Sequence, residues 1–144
     1  MIRLEDVSKR YPNGTAALQD VDLRIDQGDF AFLVGASGAG KSTLIRLLIR
    51  EELPTTGHVI VDDKDVALLR RAQIPHLRRL VGVVFQDFKL LPTKTVAENI
   101  GFALLVTGHT GQAVREETER ALALVGLTQR RSHFPRELSG GEQQ

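Results

Sequence analysis

Gly35-Ala36-Ser37-Gly38-Ala39-Gly40-Lys41-Ser42-Thr43 is the stretch on which the reading of this chain turns. It follows an apolar run, Phe30-Ala31-Phe32-Leu33-Val34, and precedes a helix-like segment, Leu44 to Arg50. The order is strand, glycine-rich loop, helix, at the spacing G-x-x-x-x-G-K-[ST]. Glycines let the backbone take positive φ and come close to a ligand. Successive N–H groups then form an anion-binding nest, and a helix starting near Lys41 adds its positive dipole end. In that arrangement Lys41 sets a point charge on the β/γ-phosphates, and Ser42 offers its hydroxyl to Mg²⁺.

Composition narrows the classes. A chain of 144 residues is one domain or most of one, and its 42% apolar content can build a core. The net charge of +1 gives no electrostatic case for nucleic acid or an anionic membrane surface. Cysteine is absent, which excludes disulfides and thiolate metal sites. Arg3, Glu5, Asp6, Lys9 and Arg10 do not fit a signal peptide. The longest apolar runs, Phe30–Val34 and Phe102–Val106, are far below the ~18 residues of a membrane span.

Ile2 to Tyr11 reads as a strand, Pro12-Asn13-Gly14 as a turn, and Ala17 to Ile25 as a second strand with one wet face from Val21 on. Phe30–Val34 and Val81–Phe85 lack alternation, as expected of strands buried on both faces. His58–Val61 is a short strand before an acidic turn, Asp62-Asp63, and Pro75 opens a short helix. Val96 to Val106 reads as a helix. Val114, Thr118, Ala121, Leu122 and Val125 mark one face of another, with Glu116 and Arg120 paired across its surface and Gly126 as its cap. Strands alternating with helices give an α/β core with some parallel pairing, and the first two strands form an antiparallel add-on.

Leu138-Ser139-Gly140-Gly141-Glu142-Gln143 is a second signature. Ser139 and Glu142 have capping-box spacing, and Gly140 and Gly141 leave first-turn N–H groups uncovered. Alone, the pattern also fits an ordinary capped helix.

Together with the glycine-rich loop, roughly a hundred residues earlier in the chain, this signature resembles the ATP-binding cassette (ABC) ATPases over the whole chain. The resemblance implies a P-loop core of the ABC type over 1–86 and a helical segment carrying the signature over 87–144. It implies ATP as ligand, held by residues 35–43, with Tyr11 stacked on adenine; as the only tyrosine, Tyr11 also fits a core or surface position. Gln86 is similar to the family's glutamine that touches Mg²⁺ and the attacking water; its alternative is a strand-end amide. The family's homodimer sandwiches ATP, so Leu138–Gln143 would act in trans on the partner's γ-phosphate.

Phe85-Gln86-Asp87-Phe88-Lys89-Leu90-Leu91, with Thr95, Val96 and Asn99, most resembles the FtsE-type, cell-division branch. That branch works at the cytoplasmic face of the membrane with an integral membrane partner of the FtsX type. Phe88, Leu90 and Leu91 then form a contact patch, or pack under the next helix. ATPases for lipoprotein release or macrolide export share much of the pattern, and a non-hydrolysing nucleotide-binding module shares the loop.

In the family, the Asp for Mg²⁺, the Glu that polarises water and a switch His come after the signature. The four His residues, 58, 76, 109 and 133, sit outside that context. The expectation is an N-terminal part of a longer ATPase that does not turn over ATP at a family-like rate by itself, because water and metal positioning supply most phosphoryl-transfer catalysis. Phe30–Val34 and Val81–Phe85 are then expected to lack a neighbouring strand and to expose apolar edge.

Overall fold

A computed structural model describes Met1–Gln144. The chain divides into two compact units, Met1–Gly82 and Val83–Gln144.

In the first unit, β1 (Ile2–Arg10) pairs antiparallel with β2 (Ala16–Ile25), Leu4 lying opposite Leu23. The alternation from Val21 holds: Val21, Leu23 and Ile25 are half-buried, while Asp22 and Arg24 are exposed. The other edge of β1 pairs with β3 (Thr56–Val61), Leu4 opposite Val59. β3 turns at Asp62-Asp63, both at left-handed φ (49° and 59°), into a two-residue strand β4 (Lys64–Asp65) that the sequence reading missed. A left-handed pair is what a tight hairpin requires, and Asp tolerates it better than most residues. The sheet order is β2-β1-β3-β4, with every neighbouring pair antiparallel.

One face of that sheet packs on α1 (Lys41–Leu48). Leu44, Leu47 and Leu48 meet Leu4, Val7, Val59 and Val61, and Val66 and Leu77 complete the cluster. Helix α2 (Ile74–Leu80) has Pro75 in its first turn. Its Arg78 donates from Nε to the Ile49 carbonyl (3.0 Å) and from Nη2 to the Arg50 carbonyl (3.3 Å). Carbonyls past the end of α1, which a helix leaves without partners, are thereby satisfied.

The two runs read as doubly buried strands are not strands. Phe30, Phe32 and Val34 are 84%, 81% and 84% exposed, and Val84 is 74% exposed. Neither run joins the sheet, so the expected parallel pairing does not form. The physical reason is that an apolar extended run becomes a strand only when a neighbour supplies ladder partners, and neither edge of the sheet takes them in. Phe30 and Phe32 instead pack edge-to-face on each other, ring centres 4.9 Å apart.

The second unit is helical. Helix α3 (Val96–Val106) and helix α4 (Gly111–Leu124) occur where the periodicity placed them. Thr95 and Glu98 cap α3 reciprocally: the Thr95 N–H donates to Glu98 (2.7 Å) and the Glu98 N–H to Thr95 Oγ1 (3.3 Å). The N–H groups of Val96 and Ala97 find acceptors at the carbonyls of His133 and Arg131. Gly101 faces α4, where a Cβ would stand in ordinary van der Waals contact with Val114 Cγ1 at 3.5 Å. Val96, Leu122 and Leu138 form the small core. Gly126 and Leu127 close α4, donating to the carbonyls of Ala123 and Leu122 in the Schellman pattern. Arg120 pairs with Glu117 (2.7 Å), not Glu116, whose carboxylate accepts from Gln112. Either spacing brings side chains together on a helix, and the i,i+3 partner is the one taken.

Leu47 is completely buried at the centre of the first core. Leu47→Ala is expected to cost about 2–5 kcal/mol in urea unfolding followed by far-UV circular dichroism. The Thr95 N–H holds the Glu98 carboxyl below its ordinary value of 4.5. A depressed folded pKa means the cap's contribution is fully present above pH 4.5 and is lost as pH falls through the lower folded value. The Thr95 amide resonance is therefore expected to hold steady above that pH and to move only below it.

Candidate functional site

The loop between the exposed run 30–34 and α1 is built around Gly40. It sits at φ +86°, and a Cβ there would lie 2.3 Å from the Ala17 carbonyl oxygen of β2. Only glycine allows both the left-handed turn and that approach. Gly38 also turns left-handed, and the Ala39 N–H closes back on the Ala36 carbonyl (3.2 Å). The first turn of α1 has no side-chain cap. The N–H groups of Gly38, Gly40, Lys41, Ser42 and Thr43 consequently have no acceptor within the chain.

Lys41, half-buried, donates from Nζ to the carbonyls of Gly35 (2.8 Å) and Ala36 (2.7 Å). An ammonium has three protons, so one remains. Its partners are neutral carbonyls, and no carboxylate neutralises it. A row of unmatched N–H donors beside an unneutralised cation is an arrangement suited to an anion. Ser37 and Ser42 are exposed, and the Ser42 hydroxyl has no partner in the chain.

Tyr11 is brought to the same helix start. Its hydroxyl lies 3.3 Å from Oγ1 of the buried Thr43. The Lys9 ammonium lies over its ring, 5.1 Å from the centre. Sequence reasoning missed this Lys9 contact. The available signal was the i,i+2 spacing, which puts Lys9 and Tyr11 on one side of an extended chain.

Gln86 and the signature belong to the second unit. Gln86 lies exposed in a turn, not at the end of a buried strand as the sequence suggested. Phe88 and Lys89 beyond it have left-handed φ (53° and 51°). The Lys89 ammonium bonds Asp87 (2.7 Å) and holds its carboxyl below the ordinary carboxylate range. Phe88, Leu90 and Leu91 are each half-buried, and Asn99 binds both the N–H and the carbonyl of Leu91.

Ser139 starts the four-residue helix α5 (Gly140–Gln143) with a full capping box. The Ser139 N–H and Oγ–H donate to Glu142 (2.9 and 2.7 Å), and the Glu142 N–H returns to Ser139 Oγ (3.3 Å). These bonds, with Arg130 at 3.4 Å, hold the Glu142 carboxyl below its ordinary value. Gln143 anchors the turn by donating to the carbonyls of Pro135 and Leu138. The N–H groups of Gly140 and Gly141 have no acceptor, and a Cβ on either glycine would meet nothing within 4 Å.

Comparison with known proteins places the chain in a family. Residues 18–144 match the family model described as ABC transporter. The cell division ATP-binding protein FtsE of Bacillus subtilis is 48% identical over 144 residues, covering all of this chain and 63% of that protein. The FtsE of Escherichia coli is 44% identical, with all of this chain and 65% of that protein covered. The chain thus spans somewhat less than two thirds of the length of these relatives. Among solved structures, the dimeric structure of MJ0796, a bacterial ABC transporter cassette, superposes with a TM-score of 0.88 at 34% identity, over 99% of this chain and 65% of that one. A second MJ0796 structure, in a post-hydrolysis state bound to ADP and Pi, gives the same TM-score at 33% identity, again over 99% of this chain and 65% of that one. With an unneutralised lysine in a bare-amide loop, a capped Ser-Gly-Gly-Glu turn and a family match that takes in both, this chain belongs to the ABC transporter family of ATP-binding cassettes.

Proposed function

We propose that the chain is the nucleotide-binding part of an FtsE-like ABC ATPase that acts in cell division with an integral membrane protein of the FtsX type. The observation that carries the reading is the set of unmatched N–H groups from Gly38 to Thr43 around Lys41. A triphosphate tail supplies the acceptors those groups lack. Lys41 donates its remaining proton to the β/γ-phosphates, and Tyr11 stacks on adenine.

Mg²⁺ fits the residues present. It keeps several waters and takes few protein ligands besides phosphate oxygens, and the Ser42 hydroxyl is exposed and unpaired. Ser42 would hold the ion, which would neutralise charge on the phosphates. In a homodimer, Ser139, Gly140 and Gly141 bring two further unmatched N–H groups to the γ-phosphate held by the other subunit. Hydrolysis then belongs to the complete dimer. The names of the relatives support cell division, and the dimeric cassette structures support the pairing. No helix is long and apolar enough to cross a membrane; attachment at the cytoplasmic face through the membrane partner is part of the same proposal.

Lys41→Ala is expected to abolish ATP binding in isothermal titration while the circular dichroism spectrum of the chain is kept; retained affinity means the loop is not the phosphate site. Ser139→Arg is expected to leave ATP binding to one subunit unchanged and to block ATP-driven dimerisation, read by light scattering. An unaltered dimer in that variant removes the signature from the interface.

A further inference from the structure

Lys9 is held more tightly than a surface lysine on an edge of a turn. Its side chain is only 12% exposed. Nζ donates to Glu52 Oε2 and to the Leu53 carbonyl, each at 2.8 Å, so the loop that follows α1 pins the ammonium. From there it faces the Tyr11 ring at 5.1 Å. Tyr11 is fixed at its other end, where the hydroxyl reaches Thr43 in the first turn of α1. Ring, cation and phosphate loop thus form one chain of contacts across β1, α1 and the Glu52–Leu53 loop.

We propose that Lys9 is a positioning residue for the nucleobase: it backs the Tyr11 ring from one face, so that a purine stacks on the other. This rests on the proposed triphosphate site at residues 35–43 and on the proposed stacking of adenine on Tyr11, so absence of Tyr11 quenching by ATP in the unsubstituted chain also overturns it. Two physical effects act together. A cation on one face of a phenol ring restricts the ring's rotation and leaves a single face for stacking. The ammonium also draws π-electron density toward itself, which makes the opposite face a better partner for an electron-rich purine. Glu52 acts one step further back, by holding Lys9 in place.

The test uses the fact that Tyr11 is the only tyrosine and that tryptophan is absent, so intrinsic fluorescence excited in the tyrosine band reports on this ring. The two probes are ATP and inorganic tripolyphosphate, which has the tail without the base. In the unsubstituted chain, ATP is expected to quench Tyr11 and tripolyphosphate to bind without quenching. Lys9→Met keeps the apolar stem and removes the charge. It is expected to weaken ATP about three- to tenfold and to leave tripolyphosphate affinity unchanged. Lys9→Arg is expected to restore most of the loss. Glu52→Gln is expected to give a smaller loss of the same kind, and with Lys9→Arg it keeps the test decisive where Lys9→Met does not fold.

Equal ATP affinity in Lys9→Met and the unsubstituted chain overturns the inference while leaving the phosphate site standing. So does an equal loss for ATP and tripolyphosphate, which makes Lys9 a structural strut. Failure of tripolyphosphate to bind the unsubstituted chain at all overturns the phosphate site itself, and this inference with it.

Discussion

The contact between Gly40 and the Ala17 carbonyl fixes the rest. A Cβ at position 40 would stand 2.3 Å from that oxygen, with Leu18 Cδ2 at 3.0 Å behind it. The loop can therefore lie on β2 only as bare backbone. Because Gly40 is also the residue before α1, the same contact sets where the helix begins and how it enters the core through Leu44 and Leu47. Sheet, loop and helix become one rigid arrangement, and the N–H groups of the loop stay without partners because the geometry leaves nothing of the chain to meet them. That deficit is tolerable at an exposed loop, where water can serve until a better acceptor arrives.

The helical unit solves the opposite problem. The starts of α3, of α5 and of a 3₁₀ turn at Pro135–Glu137 are secured by the same device, while α4 begins without a side-chain cap. Glu98, Glu137 and Glu142 each stand three residues after the position whose N–H they accept: Thr95, Phe134 and Ser139. At Thr95 and Ser139 the side chain returns the bond; at Phe134 it has no oxygen with which to do so. A four-residue helix is too short to persist on its own backbone bonds, so α5 depends on Ser139, Glu142 and the two bonds from Gln143.

What the sequence revealed follows from the range of the forces involved. Helices α3 and α4, the Pro75 helix start, the Gly126 cap and the Ser139–Glu142 box are local, set by residues within a few positions of one another. They were legible. Phe30–Val34 and Val81–Phe85 were misread because periodicity reports only that a run is apolar. Whether it is a strand depends on a neighbour elsewhere in the chain. Strand β4 was missed because two residues carry no period. The Lys9–Glu52 pair and the Tyr11–Thr43 contact join residues far apart in sequence, and no local pattern marks them. At the site, the glycine turn at Gly38–Gly40 and the Ser139–Glu142 box were legible as local features, while the setting of Tyr11 was not.

The two glycine-bearing helix starts share one principle but are unequal in charge. At the loop, donors without acceptors stand beside Lys41, and no carboxylate offsets that ammonium. At α5, the unmatched N–H groups of Gly140 and Gly141 stand beside Glu142, whose carboxylate is kept ionised by Ser139 and only distantly matched by Arg130 at 3.4 Å. An anion coming to α5 alone meets a negative group within one helical turn, on a helix too short to carry much dipole. On the proposed dimer, this asymmetry divides the work. In that proposal the loop would supply the positive charge for a triphosphate, and the signature, with Glu142 beside its two free donors, would add only those donors.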